Sequence, residues 1–578
     1  MASIQCKISR GHKYWYIVES RRVNGKPRPV VLSYLGKAEG LLKRLEGITS
    51  DVKLKSYSHG LIAALLDTSS KLDIAAIINK YTNSKRLYTS KKPLRNNLTA
   101  GITLLLAAIG RVCMPTSKRG WADWAKTTSL SYLLRCNLSK IDSQHFWDLM
   151  DSLPAETIEQ IEAEILCNVF KIHSIETDSL FFDTTSFFTY IDTTNIKSTV
   201  AARGKNKQKR NDLRQIGLAL VVTRDDMIPL FHLTYEGNLN DTKVFSKVIE
   251  KIKKRMEALR LDILKHTVVF DRGNNSKANL KILEDLNLFY VGSLTPYHHK
   301  KLIEDACNNF KDVNMGGKVI RAYRDKRLIW GHDRTVVVFV SDKLKEGSLR
   351  GIYQSISKIE AELSKLKEAL LSPKAKKRQK DKLEKKIDLI IKGQYAKNII
   401  EYQVNETSEG RFYLEFSVNE KKLKDIEDYL GFRIIMTNRH DWDTAFLIEA
   451  YYGQSKVENA FKNLKNPYHL SLKPQFHWTD QKVKVHFFIC VLGYLLATIV
   501  WRKARLGVQF SKTLDSLLNT LNNIRLATIL EESKTRGAVK AIYKLEEMTD
   551  EEKKLMQALQ IKDMHNSRPR INGVGVYS

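Results

Sequence analysis

The chain has 578 residues, and 96 Lys and Arg against 64 Asp and Glu give it a formal net charge of +32. A hydrophobic content of 43% excludes a disordered chain and leaves room for large cores, while so large a positive excess favours a polyanionic partner, nucleic acid ahead of a membrane surface. Cys6, Cys113, Cys136, Cys167, Cys307 and Cys490 are too far apart for a CxxC zinc ribbon, and a disulfide framework is not expected in so long a chain, so a reducing compartment fits.

The start, MASIQCKISRGHK, has no apolar signal core. The longest apolar runs, 102–109 and 487–501, fall short of a membrane span and read as buried helices. A cytoplasmic, nucleoid-associated protein with no membrane partner is the expectation. Residues 1–50 hold a β-hairpin, with strands at 14–22 and 30–34 and the turn signal Asn24-Gly25 between them. Pro27 and Pro29 cannot donate to a ladder and are assigned to the connection. Residues 51–170 read as helical and as a candidate DNA-binding region. Segments 60–66 and 71–81 are apolar-periodic, Ser70 and Asp73 fit a capping box, and basic clusters follow at 85–86, 91–92 and 118–119.

From Asp178 the pattern changes to strands. Segment 180–188, LFFDTTSFF, is apolar on both faces at its ends, as in a central strand, with Asp183 in its middle. A basic loop with Arg203, Lys205, Lys207, Lys209 and Arg210 follows. Strands are predicted at 216–223, 228–235, 266–270 and 289–294, and helices at 241–260 and 276–286. This order, within 171–300, suits a mixed sheet with helices packed on it. Residues 301–435 read as an insertion. It has strands at 318–324 and 335–341 with Trp330 between them. A heptad-like run follows, Ile352, Ile356, Ile359, Leu363, Leu366 and Leu370, broken at Pro373 and resumed by Leu383, Ile387 and Ile390. An antiparallel helical hairpin is the simplest account. The core resumes over 436–530, and 531–578 is a C-terminal tail.

The stretch 451–465, YYGQSKVENAFKNLK, reads as one helix. At about 100° per residue, Tyr451, Gln454, Glu458 and Lys465 fall within roughly 60° of one another. Val457, Ala460, Phe461 and Leu464 take the adjoining, buried face. Asp183 lies in an apolar strand and Asp271 at the end of another. A buried carboxylate is costly unless paired or metal-bound. If the two strands are neighbours, Glu458 on a packed helix completes a cluster of three carboxylates. Such a set suits two hard cations such as Mg²⁺, with Mn²⁺ as a substitute, that activate a water or 3′-hydroxyl in phosphoryl transfer.

FFDTTSFF, EGNLND, VVFDRGNNS and YYGQSKVENAFKNLK occur in that order. Together they resemble the DDE transposases of bacterial insertion sequences, in the group with a YREK-type signature helix. Tyr451, Glu458 and Lys465 match the signature spacing, and Gln454 stands where Arg is expected; an amide still donates a hydrogen bond but brings no charge. The resemblance covers most of 178–501. It implies a ribonuclease-H-like mixed sheet with flanking helices, interrupted by a β-strand plus helical-hairpin insertion. Asp183, Asp271 and Glu458 would be the metal ligands, and Tyr451, Gln454 and Lys465 would grip DNA phosphates. Trp330, in the insertion, becomes a candidate for stacking on a flipped base. The implied activity is binding of terminal inverted repeats, DNA strand cleavage, and joining of the 3′-hydroxyl to target DNA, in a homodimeric synaptic complex. The alternatives are a ribonuclease-H-like nuclease without strand transfer and a non-catalytic DNA-binding protein derived from a transposase.

Overall fold

The computed structural model describes residues 2–9, 12–23, 26–38, 52–82, 98–138, 141–205, 210–372, 379–393, 395–407, 410–531 and 540–566. The Asn24-Gly25 turn, the basic clusters at 85–86 and 91–92, Lys207, Lys209 and Pro373 lie outside the described residues. The chain divides into two compact units.

The first unit takes Met1–Asp67, Gly120–Ile141 and Lys503–Arg570. Three antiparallel strands open it, β1 (Ala2–Ser9), β2 (His12–Val23) and β3 (Lys26–Gly36). The N-terminal hairpin is thus a three-stranded sheet. Pro27 and Pro29 lie inside β3, opposite Arg22 and Ser20, and not in a connection. They are tolerated because β3 is an edge strand, where a missing N–H can face solvent. A second sheet pairs β4 (Val52–Ser58) with Arg525–Glu531, which in turn pairs with Lys540–Leu545. Gly60 packs directly on this sheet's approach: a Cβ there would meet the Ile524 Cβ at 2.6 Å.

The second unit takes Thr68–Arg119 and Asp142–Arg502. The Ser70 capping box does not form. Ser70 lies within the Gly60–Lys71 helix, and Asp73 precedes Ile74–Tyr81 with left-handed backbone and no side-chain cap. The apolar runs do become buried helices. Ala100–Cys113 is buried along its whole length. Asp480–Val508 is long and apolar enough to cross a membrane, yet 94% of its apolar stretch is buried inside the protein.

The unit is organised on a nine-stranded sheet. Its strands are β5 (Ser179–Thr189), β6 (Arg214–Thr223), β7 (Pro229–Glu236), β8 (Thr267–Phe270), β9 (Phe289–Leu294), β10 (Lys311–Met315), β11 (Lys318–Ile329), β12 (His332–Val340) and β15 (Phe432–Thr437). The two strands omitted from that count, β13 (Ile400–Glu406) and β14 (Phe412–Val418), form a separate hairpin. The spatial order is β10-β11-β12-β15-β9-β8-β5-β6-β7. β5 and β8 are parallel neighbours, as are β8 and β9, while β6 runs antiparallel to both β5 and β7. The two parallel steps are bridged by helices, Asp241–Ala258 before β8 and Lys277–Asp285 before β9. This mixed α/β layout is compatible with a ribonuclease-H-like core. β10 to β12 do not stand apart as an insertion; they extend the same sheet through β15.

The heptad-like run is the Asp342–Leu371 helix, with all six apolar positions buried. Lys380–Ile390 packs against Ile359 to Leu370, together with Val404 and Leu414 of the β13–β14 hairpin, while Ile352 and Ile356 pack with Ile399, Leu423, Ile426 and Leu430. The sequence suggested a helical hairpin alone; a stripe this long takes further cover, from the β hairpin and from residues 423–430, to be buried over its whole length.

Candidate active site

Asp183 and Asp271 are brought together by the parallel pairing of β5 and β8. Phe182 is opposite Phe270, so the next residue on each strand is one of the two aspartates. Flanking phenylalanines anchor this arrangement: Phe181, Phe182 and Phe270 are all fully buried. Glu458 arrives from a different element. The signature stretch is not one helix but two, Thr444–Tyr452 and Ser455–Lys465, joined at Gly453-Gln454. Gly453 marks the closest approach to β5, since a Cβ there would sit 2.3 Å from the Phe181 Cζ. Only glycine permits that contact. It sets the second helix against the strand that carries Asp183.

The three carboxylates line one cavity of about 820 Å³, with Asp241, Lys465 and Tyr235 also in its wall. Asp183 accepts a hydrogen bond from the Thr184 N–H at 2.7 Å, and Asp271 accepts one from the Arg272 N–H at 2.7 Å. Asp241, at the start of its helix, accepts from the Thr184 hydroxyl at 2.7 Å. Lys465 Nζ donates to the Thr185 hydroxyl at 2.6 Å and stands 5.2 Å from the Phe187 ring centre. Burial pushes the Asp183 carboxyl up to about 6, and the nearby charges of Asp271, Asp241 and Glu458 add to the rise against the Thr184 hydrogen bond. A half-buried carboxylate facing three others is the electrostatic signature of a site short of positive charge.

Asp241 was not singled out from the sequence, although EGNLND contains it. An acid in the first turn of a long helix ordinarily serves the helix dipole. Only the fold shows that this one faces Asp183.

Tyr451 and Gln454 are placed differently from Glu458 and Lys465. Tyr451 is 7% exposed. It borders a second cavity, of about 450 Å³, together with Arg272 and Arg433, and its hydroxyl accepts from Arg433 Nη1 at 3.4 Å. Gln454 is half-buried at the junction between the two helices. Thus the row Tyr, Gln, Glu, Lys does not share one cavity. Asp271 faces the carboxylate cavity while its neighbour Arg272 faces the Tyr451 cavity, so the two lie side by side. Arg272 and Arg433 are cations that sequence reasoning passed over; nothing in their local spacing marks them.

Trp330 is not brought to the carboxylates. It and Gly331 both have positive φ, 51° and 88°, and form the two-residue turn between β11 and β12. Register follows Thr335 to Thr437, Thr437 to Val291, Val291 to Val269 and Val269 to Phe181. Trp330 lies five residues before Thr335 and Asp183 two residues beyond Phe181, at opposite ends of the sheet. At about 3.3 Å per residue the separation along the strands is roughly 23 Å.

The expected metal ions can be tested against this donor set. Among the described residues no group of three or more His, Cys, Asp or Glu side chains stands in a metal-holding arrangement. The chemistry nevertheless fits a hard divalent cation: the facing groups are carboxylates, all oxygen donors, and their mutual repulsion is what such a cation relieves.

No protein-family model matches the chain, and no curated protein matches it in sequence. Among solved structures, the piggyBac transposase synaptic complex with hairpin DNA is similar over 79% of each chain, at 10% identity and a TM-score of 0.37.

Proposed function

We propose that the protein is a DNA transposase of the DDE type, with a ribonuclease-H-like core. It binds the ends of its element, cleaves the strand there and joins the freed 3′-hydroxyl to target DNA. The observation that carries this is the convergence of Asp183, Asp271 and Glu458 on one cavity, from two adjacent strands and a packed helix. Asp183, Asp271 and Glu458 are the proposed ligands of two Mg²⁺ ions, replaceable by Mn²⁺. Bound there, the metal would lower the pKa of a water or hydroxyl nucleophile and stabilise the leaving oxygen.

The chain's own groups then have separable tasks. Asp183 is held by its own backbone neighbour and by the β5–β8 pairing, so its carboxylate is fixed before DNA arrives. Lys465 lies on the rim of the carboxylate cavity, where its ammonium counters phosphate charge. Gln454 and Tyr451 are the proposed further phosphate contacts. The guanidinium charge that Gln454 does not bring is present one cavity away, on Arg272 and Arg433. The net charge of +32 supplies attraction to the rest of the duplex. Synapsis of two element ends calls for at least a homodimer, and the cytoplasmic nucleoid is the setting this substrate implies.

Cleavage of a labelled element-end duplex with Mg²⁺, wild type beside Glu458→Gln, is the direct test. The ends come from the DNA flanking the reading frame. Metal-dependent cutting that the variant loses supports the reading. Tight binding without cutting by the wild type would turn it to a non-catalytic DNA binder. Cutting without joining of precut ends would reduce it to a nuclease.

A further inference from the structure

A third cavity, of about 530 Å³, opens on the other side of the loop that follows the signature helix. Ser471 and Lys473 of that loop line the carboxylate cavity, whereas Pro474, Phe476, His477 and Trp478 line this one. The loop is tied to the end of β5, where the Thr189 hydroxyl donates to Gln475 Oε1 at 2.7 Å. The facing wall comes from Arg111, Lys118, Arg119 and Trp147.

Two features of that lining are unusual together. The first is aromatic. Trp147 packs 5.4 Å from His477 and 6.2 Å from Trp478, ring centre to ring centre. Phe476 and Trp478 are nonetheless 64% and 40% exposed. Large aromatic surfaces left open in a concave setting mark a binding site rather than a core. The second is charge. Arg111 is 5% exposed and spends its donors on the carbonyls of Ser471, Lys473 and Pro474. Among the described residues no Asp or Glu side chain pairs with Arg111, Lys118 or Arg119. Lys118 keeps part of its surface open while its surroundings are densely packed, and that packing, with repulsion from Arg111, pushes it down to about 7. His477, 3% exposed, leaves Nδ1 without a hydrogen-bond partner. Lysine ammonium groups also stand against both indoles, Lys482, itself paired with Asp151 at 2.8 Å, at 4.5 Å from Trp147 and Lys197 at 5.0 Å from Trp478. The lining is short of an anion and offers flat apolar faces.

We propose that this cavity holds one unpaired nucleotide of the DNA strand that passes the carboxylate site, with its base against Trp147, Phe476 and Trp478 and its phosphate against Lys118 and Arg119. Aromatic faces accept any base by stacking, and cations take the backbone phosphate, which is how single strands are held without sequence readout. The shared loop makes the path short: a strand leaving Lys473 reaches Phe476 three residues on. This rests on the DNA-processing reading above and adds a second contact point to it.

The test is fluorescence anisotropy of the full chain in magnesium-free buffer with EDTA, which prevents cutting. Three labelled probes of one arbitrary sequence are compared: a fully paired duplex, the same duplex with a short single-stranded tail, and that tail with abasic sugars. Stacking is worth roughly five- to a hundredfold per base, so the tailed duplex is expected to bind about tenfold tighter than the paired one. The abasic tail should lose that preference. Phe476→Ala and Trp478→Ala should lose it too, with paired-duplex binding unchanged; Phe476 is so exposed that its variant should keep the wild-type melting temperature. Lys118→Gln should weaken the tailed probe selectively, and Trp478→Phe should restore most of the preference. Equal affinity for paired and tailed probes in the wild type would overturn the nucleotide site while leaving the DNA reading intact. Absence of binding to every probe would overturn the DNA reading and this inference together.

Discussion

Asp183 is the carboxylate on which the negative charge around the cavity tells most. Its carboxyl is pushed up to about 6 from an ordinary 3.8, by burial first and by Asp271, Asp241 and Glu458 after it. The folded state therefore keeps this proton at pH values where the unfolded chain has released it. The sign follows: the cost is absent below pH 4, grows as the pH rises toward 6, and is fully present above 6. At 1.36 kcal/mol per unit it amounts to about 2–3 kcal/mol at neutral pH. Asp183→Asn removes the charge and keeps the shape, so it should raise the melting temperature of metal-free protein at pH 7.5 by a few degrees. Magnesium should raise the wild-type melting temperature by relieving the same repulsion, and should do far less for the variant. Calorimetry with EDTA and with 10 mM-scale Mg²⁺ reads both. A variant that melts lower than wild type without metal would mean that repulsion is not what governs this carboxylate. Glu458→Gln, which removes the charge of a more exposed group, should shift the metal-free melting temperature less while abolishing cleavage.

Between strand and helix, the site depends on one close approach. The Ser455–Lys465 helix buries Val457, Ala460, Phe461 and Leu464, and Gly453 lets its start settle onto Phe181. Gly453→Ala places a methyl group 2.3 Å from the Phe181 ring. The helix must lift or the ring must turn, at a cost of about 1–3 kcal/mol. Because Glu458 rides on this helix, cleavage should fall by more than the loss of folded protein accounts for. Phe181→Leu on the Gly453→Ala background should recover part of both, as read by melting temperature and cleavage rate. No recovery would place the damage elsewhere than in this contact. The elements around the site were legible because local pattern defines them: β5 as an apolar strand interrupted by one Asp, β8 as a short apolar run ending in another, and the helix from its buried face. Their adjacency was not legible, because strand order is fixed by crossovers through helices and not by anything within the strands. Local pattern also misled where context overrides it. Pro27 and Pro29 read as loop residues and sit in an edge strand. The Tyr451–Lys465 row reads as one helix face, yet the chain turns at Gly453-Gln454 and sends Tyr451 to the neighbouring cavity. Short strands such as β13 and β14 passed unseen because a heptad pattern points to a partner helix and carries no mark of the β cover it also takes.

For the whole molecule two bulk properties set conditions on any assay. A net charge of +32 predicts duplex binding that falls steeply and linearly in log–log form as salt rises, with a slope near the number of phosphates neutralised. A flat response would argue against a DNA partner of any kind. The second property is acid sensitivity from histidines kept neutral by burial. In the first unit, burial with a contribution from His565 holds His59 down to about 4, and its Nδ1 hydrogen-bonds the Ser129 hydroxyl at 2.9 Å. In the second, burial and the nearby cations Lys118 and Arg111 hold His477 and His486 well below the ordinary value. Each of these groups binds a proton more readily in the unfolded chain. Stability is therefore intact above about pH 6.5 and is lost as the pH falls through 6.5 toward 4. His59 alone is worth about 3 kcal/mol across that window. The Asp183 effect runs the other way below pH 6, but it is one group against three. The net expectation is a melting temperature that falls steadily from pH 7 to pH 4.5, and His59→Gln should flatten the part of that fall that belongs to the first unit. A protein equally stable at both ends of the range would mean that these imidazoles reach solvent readily, and the closed packing around His477 on which the nucleotide cavity depends would have to be reconsidered.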